Sequence, residues 1–336
     1  MRIYNHDDVD PKSLDGARIA VIGYGSQGRA HAMNMRDSGI DVVVGVRQGG
    51  KGWKRAQEDG LKTAEPADAA KGATIVAILT PDMTHDAIWR ESVEPNIAKG
   101  AAVLFAHGFS VHYGRVAPRK DIDVILVAPK GPGDLVRREY VRGHGVPCLF
   151  AIRQDASGNA RERVLGYARA IGGTFGGCIE TTFAEETETD LFGEQSVLCG
   201  GVTELVLAGY ETLVDAGYQP EVAYFECMHE LKLIVDLLHE GGLKKMHEFV
   251  SETAKYGDLV SGPRIVTAQT RQHMKDVLHD IQTGSFARDW ILENQAGRPR
   301  YEALLKKDLD HPIEQVGREL RARMTWLNPQ TNAAAE

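Results

Sequence analysis

The chain has 336 residues, 43% of them hydrophobic and 26% charged, with a formal net charge of −8. That length allows two domains, each burying its own core, and the acidic balance argues against nucleic acid or an anionic membrane as partner. The four cysteines, Cys148, Cys178, Cys199 and Cys227, form no C-x-x-C pair, which excludes a zinc ribbon and fits a reducing compartment. There is no basic leader followed by an apolar run, and no stretch approaches the roughly 20 uninterrupted apolar residues of a membrane span. A cytoplasmic location is the expectation.

In chain order, short apolar runs at 18–22, 41–46, 74–79, 101–105, 123–127 and 148–152 read as strands. Most are continuous rather than alternating, as strands covered on both faces should be. Helical stretches lie between several of them, at 27–38 and 84–90 for example. The pattern predicts an α/β, Rossmann-like domain: a doubly wound parallel sheet with helices on both sides. Near Thr181 the texture changes, and from Ala184 onward only helical patterns remain, punctuated by Gly217, Pro220 and Gly241-Gly242. The expected organisation is a dinucleotide-binding domain over 1–181, an all-helical domain over 182–327 and a tail at 328–336.

The strand at 18–22 runs into Gly23-Tyr24-Gly25-Ser26-Gln27-Gly28, and a helix follows. In that context Gly23 permits the tight turn, Gly25 lets the backbone approach a pyrophosphate, and Gly28 allows close helix–strand packing. The helix N-terminus then offers unpaired N–H groups to phosphate. After the second strand the chain reads Arg47-Gln48-Gly49-Gly50-Lys51-Gly52-Trp53-Lys54-Arg55, with no acid before Glu58. An NAD-specific site places an acid near here for the ribose 2′-hydroxyl. Arg47, Lys51, Lys54 and Arg55 instead suit a 2′-phosphate, so the sequence leans to NADP(H); the alternative is a solvated basic turn.

Ligands of open parallel sheets bind beyond the carboxyl ends of the strands. Three such ends carry polar groups here: Thr80-Pro81-Asp82, Ala106-His107-Gly108-Phe109 and Ala128-Pro129-Lys130-Gly131-Pro132-Gly133. Lys130 suits stabilisation of a developing oxyanion, and His107 suits proton relay or nicotinamide positioning.

In the second half, advancing about 100° per residue places Glu226 and Glu230 on a stripe continued by Leu233 and Leu237. Asp190 and Glu194 are also four apart, with Leu198, Gly201 and Leu205 continuing their stripe. Carboxylate pairs on apolar helix faces suit hard cations held between helices, and oxygen-only ligands point to Mg²⁺ or Mn²⁺ rather than zinc. Ion pairing across an interface is the alternative, although no basic residue lies between Thr181 and Gln219.

With the glycine turn, the His107 and Lys130 segments, Asp190-Leu191-Phe192-Gly193-Glu194-Gln195 and Tyr224-Phe225-Glu226-Cys227-Met228-His229-Glu230-Leu231-Lys232 in hand, the chain resembles a ketol-acid reductoisomerase of the short form, over nearly its whole length. The resemblance implies Asp190, Glu194, Glu226 and Glu230 as ligands of two Mg²⁺, with Glu230 also catalytic beside His107 and Lys130. It implies Ser251 as a contact to substrate carboxylate. The cofactor-binding set becomes Gly23, Tyr24, Gly25, Ser26, Gln27, Gly28, Arg47, Gly50, Gly52, Asp82, Met83, Thr84, His85 and Gly133. Gly50 and Gly52 stand where family members usually carry Ser or Thr, which leaves NADH use open. The resemblance further implies a knotted helical domain and a homodimer, with higher assembly open. The implied reaction is alkyl migration in 2-acetolactate or 2-aceto-2-hydroxybutanoate, then reduction to the 2,3-dihydroxy acid, in valine and isoleucine synthesis. The rival readings are a metal-free β-hydroxyacid dehydrogenase and a dinucleotide-sensing regulatory protein.

Overall fold

The computed structural model describes residues 2–324; the expected tail at 328–336 lies outside them, as do the last residues of the expected helical domain. The chain parts into two compact units, Met1–Thr189 and Asp190–Glu336. The change from strands to helices follows the last strand at Glu180, and the division between units falls inside the helix Phe183–Gly193.

The first unit is built on a nine-stranded sheet in the order β1-β9-β8-β7-β6-β5-β2-β3-β4. The strands are β1 (Ile3–Tyr4), β2 (Arg18–Ile22), β3 (Asp41–Gly45), β4 (Lys62–Ala64), β5 (Ile75–Ile78), β6 (Ala102–Phe105), β7 (Asp123–Pro129), β8 (Cys148–Gln154) and β9 (Cys178–Glu180). The continuous apolar runs have the expected cause. Ile19 and Val21 enter one buried cluster while Ala20 and Ile22 enter the other, and Ile75 and Val76 divide the same way. Both faces of the sheet are therefore covered.

The sheet is mixed, not wholly parallel. Strands β4 to β7 pair in parallel through β3, β2, β5 and β6, but β8 runs antiparallel to β7 and β1 antiparallel to β9. The reversal has a local cause. After the helix Gly133–Val141 the chain returns beside the end of β7, where Lys130 N–H donates to Pro147 O at 2.8 Å. Cys148 therefore starts β8 opposite Pro129 instead of crossing to the far edge. The expected helix at 84–90 is broken into a 3₁₀ turn (Asp82–Thr84), one α turn (His85–Ile88) and a π turn (Trp89–Val93).

The second unit is helical throughout its described residues, with a small core formed by Val206, Tyr210, Ala223, Tyr224 and Ile313. Pro220 opens a helix, where its missing N–H is no loss. Gly241 and Gly242 break the helix Glu230–Phe249, Gly242 with φ 66°. Many large apolar side chains lie exposed, among them Leu198 (69%), Leu205 (55%), Leu233 (52%), Leu243, Leu259 and Leu309. The continuous helical stretch Phe183–Asp215, of mean hydropathy 1.4 in its most apolar window, is long and apolar enough to cross a membrane by length and composition. It carries eight acidic residues, among them Asp190, Glu194 and Glu204.

Candidate functional site

The turn after β2 has the form its glycines require. Gly23 sits at φ 99°, and a Cβ there would come 2.8 Å from Thr80 Cγ2. At Gly28 a Cβ would lie 2.4 Å from Gly23 O, so only glycine lets the helix Ser26–Asp37 start this close to the strand. Above Gly25 there is open space, with nothing within 4 Å of a Cβ. The helix has no side-chain cap at its N-terminus, which leaves its first N–H groups for an anion. Gly133 lies against this turn, for its Cβ would meet Ser26 O at 2.3 Å.

Arg47 follows β3, Lys51 and Lys54 lie in the first turns of the helix Lys51–Glu58, whose N-cap is Gly50, and Arg55 lies in its last turn. Gly52 packs towards Val46 and Tyr24, where a Cβ would lie 3.4 and 3.5 Å from their side chains. The far end of this helix is tied back to the glycine turn: Asp59 accepts from Tyr24 Oη at 2.8 Å and from Arg29 at 2.7 and 2.8 Å. Arg29 above all, helped by Tyr24, outweighs the cost of burial and holds the Asp59 carboxyl at a pKa of about 2. Burial, and then Asp59, pushes the Tyr24 phenol well above its ordinary range.

Asp82, Met83 and Thr84 form the turn beyond β5, where Arg115 holds Met83 O at 3.3 Å. His85 faces inward. Its Nε2 bonds Thr80 O at 2.8 Å and its Nδ1 bonds Ser110 Oγ at 3.0 Å. A carbonyl only accepts, so Nε2 carries the proton and Nδ1 accepts. Burial lowers its pKa and keeps it neutral. The side chain thus anchors the turn.

The chemistry gathers at the neighbouring ends of β6 and β7. His107 follows β6 and Lys130 follows β7, and both reach Glu186 on the helix Phe183–Gly193. Glu186 has a side chain only 1% exposed. It accepts from Gly108 N–H at 2.8 Å, from Lys130 Nζ at 3.1 Å and from His107 Nδ1 at 3.2–3.3 Å. Burial opposes its charge, but His107, Lys130 and the Gly108 N–H outweigh that and lower its pKa. The carboxylate accepts from Nδ1, which sets the tautomer of a neutral His107. Gly108 permits the close approach, since a Cβ there would fall 2.2 Å from Thr187 Oγ1.

Sequence reasoning singled out His107 and Lys130 but missed Glu186, the group that joins them. The signal was present. Glu186 continues the i,i+4 series of Asp190 and Glu194 one turn upstream.

In the helical unit, Glu194 opens a π turn (Glu194–Leu198), and Glu226 lies in another (Phe225–His229) that Glu230 follows. π turns of this kind recur at functional sites. Glu194, Glu226 and Glu230 are exposed, as is Leu233, so among the described residues nothing covers the apolar face on which the sequence places these acids. Glu226 and Glu230 make no ion pair among the described residues, which disfavours the ion-pair alternative for that pair. Two carboxylates one turn apart, Glu226 and Glu230, with no cationic partner among the described residues, fit a hard divalent cation. Ser251 caps the helix Glu252–Ile265, accepting from Ala254 N–H at 3.1 Å, and its exposed side chain stays at a helix N-terminus.

Residues 13–177 match the family described as acetohydroxy acid isomeroreductase, NADPH-binding domain, and residues 183–326 match ketol-acid reductoisomerase, C-terminal domain. A ketol-acid reductoisomerase (NADP(+)) of Xanthomonas axonopodis pv. citri is 59% identical over 318 residues, covering 95% of this chain and 96% of the relative. Another of that name, from Xylella fastidiosa, is 60% identical over 313 residues, or 93% and 89% of the two chains. A solved NADH-preferring ketol-acid reductoisomerase from an uncultured archean superposes with a TM-score of 0.93 at 45% identity, over 96% of this chain and 99% of that one. With the two halves matched in order and relatives covered almost end to end, the chain belongs to the ketol-acid reductoisomerase family, and it is an oxidoreductase.

Proposed function

We propose that this chain converts 2-acetolactate and 2-aceto-2-hydroxybutanoate, by Mg²⁺-dependent alkyl migration and NADPH reduction, to the 2,3-dihydroxy acids of valine and isoleucine synthesis, in the cytoplasm. The observation that carries the reading is the buried Glu186 clamp, which sets a histidine and a lysine side by side at the strand edge where ligands of such sheets bind. Asp190, Glu194, Glu226 and Glu230 would hold two Mg²⁺. Bound there, Mg²⁺ supplies Lewis acidity and a lowered hydroxyl pKa for the migration, and the reduced dinucleotide supplies the hydride. The protein's own groups do the rest. His107 takes and returns a proton through Nε2, Lys130 stabilises negative charge developing on oxygen, and Glu186 keeps both in place.

NADPH is the reading favoured by Arg47 and its neighbours, and by the names of the curated relatives. Gly50 and Gly52, and the cofactor preference named for the archaeal relative, favour NADH as a second hydride donor. A homodimer is the assembly that fits the exposed apolar helices. A groove of about 480 Å³ lined by Val202, Val206, Leu207, Leu231, Val235 and Ile313 is ready to take helical side chains from a second copy. The same cover accounts for the apolar stretch Phe183–Asp215 without a bilayer.

The test is turnover of 2-acetolactate with NADPH in Mg²⁺, repeated in excess EDTA. Turnover that EDTA abolishes and Mg²⁺ restores is the expected result. Reduction of a hydroxy acid's keto form that persists in EDTA would favour the metal-free dehydrogenase.

A further inference from the structure

Gln27 belongs to the glycine turn, yet its side chain is directed at a different loop. Its Nε2 donates to Gly131 O at 2.9 Å, and Gly131 immediately follows Lys130. The amide cannot be reversed without placing two acceptors face to face, so the assignment of its oxygen and nitrogen is fixed by chemistry. Its Oε1 is buried and has no hydrogen-bond partner among the described residues. Two residues further on, Gly133 is seated on the Ser26–Gln27 peptide so closely that a Cβ would overlap Ser26 O and come 2.7 Å from Gln27 N. Lys130 itself is held from the other side, its N–H donating to Pro147 O and its ammonium to Glu186. The segment 130–133 is thus clamped between the dinucleotide turn and the strand-edge cluster. One of its two clamps is a side chain of the turn.

We propose that Gln27 is a positioning residue that couples occupancy of the dinucleotide turn to the placement of Lys130, rather than a side-chain contact to the dinucleotide. An anion settling on the N–H groups of the helix Ser26–Asp37 immobilises the Ser26–Gln27 backbone. The Gln27 amide passes that restraint to Gly131, and the Gly133 contact passes it to the start of the helix Gly133–Val141. Lys130 is then fixed at Glu186 when hydride donor is present. The inference rests on the functional reading above, in its dinucleotide site and its lysine.

The experiment is hydrogen exchange on the full chain with and without NADP⁺, no substrate or metal being needed, together with NADP⁺ affinity and steady-state kinetics. In the unsubstituted protein NADP⁺ should slow exchange in two peptides, one over 24–37 and one over 130–137. Gln27→Leu removes both polar ends at similar size, and Gln27→Glu keeps size while setting a carboxylate against Gly131 O; the second serves if the first fails to fold. In either variant NADP⁺ should still protect 24–37, with affinity changed less than about threefold, while protection over 130–137 falls by at least about fivefold and kcat by at least about tenfold. A merely structural role would lower the melting temperature without uncoupling the two peptides. Equal protection of 130–137 in variant and parent overturns the proposal, and so does loss of NADP⁺ affinity by more than about tenfold, which would make Gln27 a cofactor contact. If NADP⁺ fails to bind the unsubstituted protein, the functional reading itself falls.

Discussion

Glu186 is the charge on which the site's lysine and histidine converge. It is a buried charge satisfied by a backbone N–H, an ammonium and an imidazole, and removing its charge leaves two cationic or polar groups without their common acceptor. Glu186→Gln keeps the shape and should lower kcat at least ~100-fold, with a smaller effect on substrate KM. Steady-state kinetics beside Glu186→Asp measures it, and a loss under about threefold would remove Glu186 from the active arrangement. Asp59 invites a different test. Its folded pKa of about 2 lies below the ordinary 3.8, so its ion pair stabilises the fold above pH ~4 and that stabilisation is lost as pH falls from ~4 towards ~2. Asp59→Asn should remove about 1–2 kcal/mol at pH 7 after allowance for solvent screening, and less at pH 2. Urea melts at the two pH values read the difference, and an equal loss at both would mean the pair contributes nothing through its charge.

Among the elements, the segment from Arg47 through the helix Lys51–Glu58 is where the proposed reading puts the choice of cofactor. Arg47→Ala should weaken NADPH by ~10-fold, about 1.4 kcal/mol, and NADH by less than about twofold. Comparison of kcat/KM for the two cofactors decides it, and equal losses would place the 2′-phosphate elsewhere. Element by element, the sequence was most legible where one period dominates. The buried strands β2, β3, β5, β6, β7 and β8 follow from apolar runs, and the glycine turn from three residues whose steric roles differ. Short strands such as β4 and β9 carry too few residues for a period, and the antiparallel entry of β8 depends on where the segment 142–147 returns. The site was legible as two strand-edge residues. Glu186 was missed: its i,i+4 spacing to Asp190 puts it on the same helix face, but that spacing does not say that it meets residues 56 and 79 positions away.

At the scale of the whole molecule the two units differ in how they satisfy the hydrophobic effect. The first buries clusters on both faces of its sheet, while the second leaves leucines exposed along most of its helices. Apolar helices of this kind require a partner surface. Sedimentation at micromolar concentration should show a dimer or a larger closed assembly. A compact, stable monomer would sink the proposed assembly and leave the exposed leucines without a role.

That asymmetry has a consequence for biogenesis. The first unit is complete once residue 189 is available and owes its core to nothing downstream. The second emerges later, helix by helix, with little of its own to collapse upon. At ~5–20 residues per second its synthesis occupies on the order of ten seconds. During that time a folded head is tethered at the ribosome to unsheltered leucines. If the proposed dimer is what covers these helices, the hazardous interval for this chain lies between translation and encounter with a second copy.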